Sequence, residues 1–180
     1  MHSDVQREYG GALWAIAVED NCTDAMLADV RALQTVLRET PEYLRLIRCP
    51  DIPLDTRIGL LDDAFRGRVP DTLLHFLQLL CERGHFGCLP DCLEEFCRRY
   101  DEANNIENVT VVSAVPLTRA QKDALGAKLS QKLQRNVRLS TKIDPSVMGG
   151  LRVETEGASM DGTVRRQIES IRENLLQTVL

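Results

Sequence analysis

The sequence predicts a mainly α protein in two parts. An N-terminal six-helix bundle over residues 1–104 precedes a small α+β domain over residues 105–180, ordered strand, helix, strand, strand, helix. Three observations carry this. Through the first hundred positions, apolar residues recur at the three- and four-residue spacing of a helix with one buried stripe. At "DEANNIEN", residues 101–108, that period stops, and the β-branched "VTVVSA" that follows is too short for a helix. Further on, Val137, Leu139, Thr141 and Ile143 alternate with polar residues, which is the period of an extended segment. With 180 residues the chain can bury about 70% of its unfolded surface, so it needs no disulfide to fold.

The helices follow in order. Tyr9, Leu13 and Ile16 share a face in the first, and Leu27, Val30, Leu33 and Leu37 line the second. "TPEYLRLI" opens the third, with Thr40 as cap and Pro41 at the first helical position, and it ends near Cys49-Pro50. Leu54, Ile58, Leu61 and Phe65 mark the fourth; Leu73, Phe76, Leu77 and Leu80 the fifth, opened by Pro70-Asp71 and closed by Gly84; Leu89, Leu93, Phe96 and Tyr100 the sixth. Asn104 and Asn105 tolerate the left-handed backbone at its end. In the second part, Thr118 and Gln121 form a capping box ahead of Leu125, Leu129 and Leu133. Residues 137–143 and 151–155 are then expected as two arms joined by "DPSVMGG", and a last helix, capped by Asp161-Gly162-Thr163, carries Val164, Ile168, Ile171 and Leu175.

Little in this chain suggests catalysis. Gly149-Gly150 precedes a strand, whereas a phosphate loop places its glycines between a strand and the next helix and closes on Lys-Ser/Thr. Neither a G-x-S-x-G elbow, an H-E-x-x-H helix nor a dinucleotide fingerprint is present. Adjacent carboxylates such as Asp62-Asp63 and Glu94-Glu95 point in different directions on a helix and solvate a face. The net charge of −5 argues against binding a phosphate backbone, and the second part lacks the G-x-x-G loop of one small RNA-binding fold. No cofactor is expected. The start, "MHSDVQREYGG", has no basic-then-apolar pattern, and no apolar run approaches the roughly 20 residues of a membrane span, so a cytoplasmic protein is expected.

Six cysteines, Cys22, Cys49, Cys81, Cys88, Cys92 and Cys97, make no C-x-x-C pair, and their simplest reading is as small apolar residues on helices. A metal or redox module built from Cys81–Cys97 with His75 and His85 is the alternative reading, and a small RNA-binding protein another. More informative is "GGALWAIAV", residues 10–18, which contains no charge. Tyr9, Ala12, Leu13 and Ile16 take one side of the wheel, and Gly10, Gly11, Trp14, Ala15 and Val18 the other. A helix apolar on both sides is central in a bundle or touches a partner.

These stretches resemble a known family. "YGGALWAIAVE", "HFLQLLCERGHF", "VVSAVPLT" and above all "DPSVMGGLRVETEGASMDGTVRRQIESI" are similar to the delta subunit of bacterial F-type ATP synthase, the counterpart of the mitochondrial oligomycin-sensitivity-conferring protein. Asp144, Pro145, Ser146, Gly149, Gly150, Asp161, Gly162 and Arg165 match the family's pattern, with Thr163 in place of its usual Ser. The resemblance implies a non-catalytic stator subunit on the cytoplasmic face of the inner membrane. It further implies that the N-terminal bundle binds N-terminal segments of the catalytic head's alpha subunits through the first and fifth helices, with Tyr9, Gly10, Gly11, Trp14, Ala15, Val18, Leu74 and Gln78 at the contact. The C-terminal domain is implied to hold the C-terminal helices of the peripheral-stalk b subunits, with membrane association only through the complex and no nucleic acid bound.

Overall fold

A computed structural model describes residues 2–147, 150–155 and 159–161. The chain divides into two compact units, Met1–Asp101 and Glu102–Leu180. The first holds six α-helices: α1 (His2–Glu19), α2 (Thr23–Glu39), α3 (Pro41–Arg48), α4 (Leu54–Phe65), α5 (Asp71–Glu82) and α6 (Leu89–Ala103), with a 3-10 turn at Phe86–Cys88 before the last. The second contains β1 (Ile106–Ser113), α7 (Arg119–Leu133), β2 (Asn136–Ile143), a 3-10 turn at Pro145–Val147, β3 (Leu151–Glu154) and β4 (Ser159–Asp161).

The helix stripes converge on one core in the first unit. Leu27, Val30, Leu33 and Leu37 of α2, Leu73, Phe76, Leu77 and Leu80 of α5, and Leu89, Leu93 and Phe96 of α6 are all buried in it. Each such side chain contributes about 1.5–3 kcal/mol on leaving water. The segment ends follow backbone chemistry: Pro70 precedes α5 and Gly84, at φ +69°, stands just past its end, a conformation that costs glycine nothing. Asn105 takes φ +55° after α6.

Three expectations in this unit are corrected. The buried seam of α1 is Gly10, Leu13 and Ala17, while Ile16 is 42% exposed. The cause is the glycine pair: with no side chain at residue 10, the backbone of α6 comes in against it, and α1 is rolled so that Ile16 turns outward. Thr40 precedes α3 without capping it through its side chain; its hydroxyl donates instead to the Val36 carbonyl (2.7 Å), closing α2. Leu54, at the start of α4, is likewise exposed, so the stripe there runs from Ile58 onward.

In the second unit the sheet order is β2-β1-β3-β4. β1 pairs parallel with β2, from Ile106 opposite Asn136 to Ser113 opposite Ile143, and antiparallel with β3. The expectation that residues 137–143 and 151–155 are two arms of one connection is thereby corrected: β1 lies between them. A helix-length crossover makes β2 parallel to β1, which leaves the other edge of β1 for β3. The turn at 144–147 accordingly crosses the end of β1, with the Asp144 amide donating to the Ser113 carbonyl (2.9 Å). β1 buries Val109, Val111 and Val112, and Leu125, Leu129 and Leu133 of α7 pack with Val137 and Leu139 against it. Ile143, at the end of the alternating run, is 53% exposed. The capping box forms as read, with the Gln121 amide donating to Thr118 Oγ1 (3.3 Å) and the Thr118 amide to Gln121 Oε1 (2.9 Å).

Candidate partner-binding surfaces

The site residues of α1 follow from its crossing with α6. Gln6 Nε2 donates to Asp91 Oδ2 (2.6 Å), Gly10 faces Cys92 and Glu95, Gly11 faces Arg99, and Trp14 faces Phe96 and Tyr100. That succession makes the two helices run in the same direction. A Cβ at Gly10 would stand 2.6 Å from the Cys92 carbonyl oxygen and 2.8 Å from the Glu95 Cβ, so only glycine fits. Trp14 lies half-buried, edge-on to Phe96 (5.6 Å between centroids) and to Tyr100 (6.2 Å). Tyr100 in turn donates its hydroxyl to Asp24 of α2. Tyr9 is also half-buried, edge-on to His85 at 5.9 Å.

Of the residues expected at the contact, Ala15 and Val18 stand open on α1, Val18 at 48% exposure. Gly10 is buried, while Gly11 and Trp14 are partly covered by α6. On α5, Leu74 is buried in the core and Gln78 donates through Nε2 to Asp62 Oδ1 of α4 (2.8 Å). The exposed residues along that stretch of α5 are His75, named in the sequence only for the metal or redox alternative, and Leu79, which sequence reasoning did not single out. A four-residue spacing on the face opposite Leu73, Leu77 and Leu80 was the available signal.

Beneath α1, Glu95 is the electrostatic centre of the α1–α6 crossing. It accepts from Arg98 Nη2 (2.7 Å) and Arg99 Nε (2.8 Å) and is itself only 9% exposed. Hydrogen bonding from Arg98 holds its carboxyl below the usual range against the opposing effect of burial.

Cys81, Cys88 and Cys92 are buried, and among the described residues no group of three His, Cys, Asp or Glu could hold a metal. Burial pushes the Cys92 thiol up to about 12, and raises Cys81 as well. Burial of this kind disfavours the thiolate, the form that acts as nucleophile or metal ligand.

The "DPS" turn is built locally. Asp144 Oδ1 accepts from the Ser146 amide (2.9 Å), and hydrogen bonding from the Ser146 side chain and then from its amide holds the Asp144 carboxyl below its ordinary value, while Pro145 opens the 3-10 turn. Gly150, at φ +84°, leads into β3, so this glycine feeds a strand. Asp161 ends β4 opposite Arg152. Gly149, Gly162, Thr163, Arg165 and the expected last helix lie outside the described residues.

The sequence profile of the ATP synthase delta (OSCP) subunit family matches residues 5–175. The chain belongs to this family. Family members are non-catalytic structural subunits of the ATP synthase and components of its peripheral stalk. ATP synthase subunit delta of Chlorobium chlorochromatii is 31% identical over 170 residues, covering 94% of this chain and 95% of the relative. The protein of the same name from Clostridium botulinum strain Langeland is 27% identical over 177 residues, covering 98% and 99%. A chain of the Toxoplasma gondii mitochondrial ATP synthase hexamer superposes with a TM-score of 0.75 at 16% identity, covering 95% of this chain and 97% of that one, so the fold is shared. No described helix is long and apolar enough to cross a membrane.

Proposed function

We propose that this delta-family chain is the stator clamp of an F-type ATP synthase. It links the top of the catalytic head to the peripheral stalk, so that the head does not turn with the rotor while ion flow drives ATP synthesis. In this reading residues 1–104 act as a six-helix bundle that takes the N-terminal segments of alpha subunits along α1 and α5. Residues 105–180 hold the C-terminal helices of the b subunits, and the protein reaches the cytoplasmic face of the inner membrane only through the complex. The observation that carries the proposal is the family match over residues 5–175, which spans both compact units. Supporting it, α1 keeps apolar side chains in water after its core seam is filled, including Ile16 and Val18. Such residues suit an extended protein contact better than a catalytic pocket.

Affinity purification of the tagged full-length chain from solubilised membranes tests the proposal. Alpha and b subunits are expected to co-purify in the same particle, and retention of the particle without either class would remove the linking role.

A further inference from the structure

Beside Tyr9 of α1, which stands edge-on to His85, the end of α3, the first half of α4 and the α5–α6 connection enclose a cleft of about 590 Å³ lined by Arg48, Arg57, His85, Ile47, Cys81 and Gly87, among others. Its polar side chains are cationic or capable of being so, and no carboxylate among the described residues lines it. Arg48 lies against Gly87, where an added Cβ would stand 3.0 Å from its Nε. Arg57 reaches from α4 to donate through Nη1 to the Ile47 carbonyl at 3.4 Å, a long bond for a guanidinium. Its Nε is buried and has no hydrogen-bond partner among the described residues. On the adjoining loop, Asp51 accepts from the Cys49 thiol at 3.8 Å and is not part of the lining.

A cation at Arg48 has a structural reason, because it stands in the last turn of α3 where the helix dipole favours positive charge. Arg57 has none of that kind. It sits in the first half of α4, where the dipole favours the opposite sign, and an unpaired buried donor costs about 1–3 kcal/mol. A fold that holds a guanidinium there, with a second one and an imidazole lining the same space, has the donor set of an oxyanion site: planar forks that match tetrahedral oxygens two at a time.

The geometry points to a phosphate-class oxyanion bound in this cleft between Arg48, Arg57 and His85, either free inorganic phosphate or the phosphates of a nucleotide. The site is separate from Gly149-Gly150 and does not depend on the stator reading.

Calorimetric titration of the full-length protein, at ionic strength matched with sodium chloride, tests the site with inorganic phosphate, ATP and adenosine as probes. Saturable binding of inorganic phosphate is expected to identify a free oxyanion. Saturable ATP binding that phosphate does not match, with adenosine inert, identifies a nucleotide as the source. In either case Arg57→Gln should weaken binding by about 10- to 100-fold, as expected for the loss of a charge-assisted hydrogen bond. Arg48→Gln, at an exposed position that leaves the core intact, should weaken it in the same sense even if Arg57→Gln does not fold. Heat indistinguishable from the chloride control for both anions, binding unchanged by Arg48→Gln, or binding of a glutamate-rich peptide in place of either phosphate source would overturn the inference.

Discussion

Gly10 of α1 lies so close to Cys92 of α6 that a Cβ on the glycine would meet the cysteine's carbonyl oxygen at 2.6 Å. The obstacle is backbone, which cannot swing away. Replacing Gly with Ala inside a helix ordinarily gains about 0.5–1 kcal/mol, but overpacking costs about 1–3 kcal/mol, so Gly10→Ala should be a net loss and Gly10→Val a larger one. Gly59 of α4 and Gly126 of α7 have nothing within 4 Å of a built Cβ. Gly59→Ala and Gly126→Ala should therefore stabilise. Urea midpoints of the three alanine variants decide the matter, and a stabilised Gly10→Ala would show that α6 does not approach α1 as described.

Beside that crossing, Glu95 supplies a pH dependence. Its folded-state pKa is lowered, chiefly by the Arg98 hydrogen bond, so its contribution is present above the ordinary glutamate pKa and is lost as pH falls through the lowered value. Arg98 and Arg99 are 41% and 36% exposed and their charge is partly screened, which keeps the contribution to about 1 kcal/mol. Glu95→Gln should be less stable at neutral pH and should flatten the acid limb of the stability profile. Denaturant midpoints between roughly pH 3 and 7 measure this, and parallel limbs for the two proteins would refute it.

The thiols divide by burial. Cys92, pushed up to about 12, and Cys81, raised in the same direction, should resist iodoacetamide at mildly alkaline pH in the native state, while the half-buried Cys22 and Cys49 are labelled first. Because the unfolded Cys92 thiol ionises near 9 and the folded one near 12, its contribution to stability is complete below pH 9 and fades as pH rises toward 12. Mass spectrometry of native and urea-unfolded samples reads the order directly. Early modification of Cys92 in the native protein would revive a redox role.

Much of this organisation was legible in the residues. The stripes of α2, α5 and α6, the Thr118–Gln121 box and the turn from helix to strand after Asn105 each rest on local chemistry that a sequence displays. What failed was non-local. "GGALWAIAV" is apolar on every side, so periodicity could not choose among its faces, and the choice fell to a close approach by α6 that only Gly10 permits. The pairing of β1 with both β2 and β3 depends on where α7 carries the chain, not on the alternation of Val137 or Val153. Leu74 and Gln78 came with the family resemblance, and their surroundings are set by how α4 packs on α5, a relationship no short window contains.

That same packing changes how the partner surface of α1 should be probed. Trp14 touches Phe96 and Tyr100, so Trp14→Ala removes core contacts and should cost about 3 kcal/mol in folding before any partner is present. Cleaner positions flank the buried seam. Val18, three residues beyond Ala15, is open on the side that carries Gly11 and Trp14, whereas Ile16 is open on the other side with Ala12. If an alpha-subunit N-terminal segment lies along the Trp14 side, Val18→Asp should weaken its binding by about 1–3 kcal/mol, since an unpaired carboxylate is forced into an apolar contact. Ile16→Asp should leave binding unchanged, and neither substitution should shift the melt by more than about 0.5 kcal/mol, both positions being on the surface. Trp14, the chain's one tryptophan, reports the complex through its emission when a synthetic segment is titrated in. Equal binding by wild type and Val18→Asp, with loss in Ile16→Asp, would move the contact to the Ala12–Ile16 flank and take Trp14 out of it.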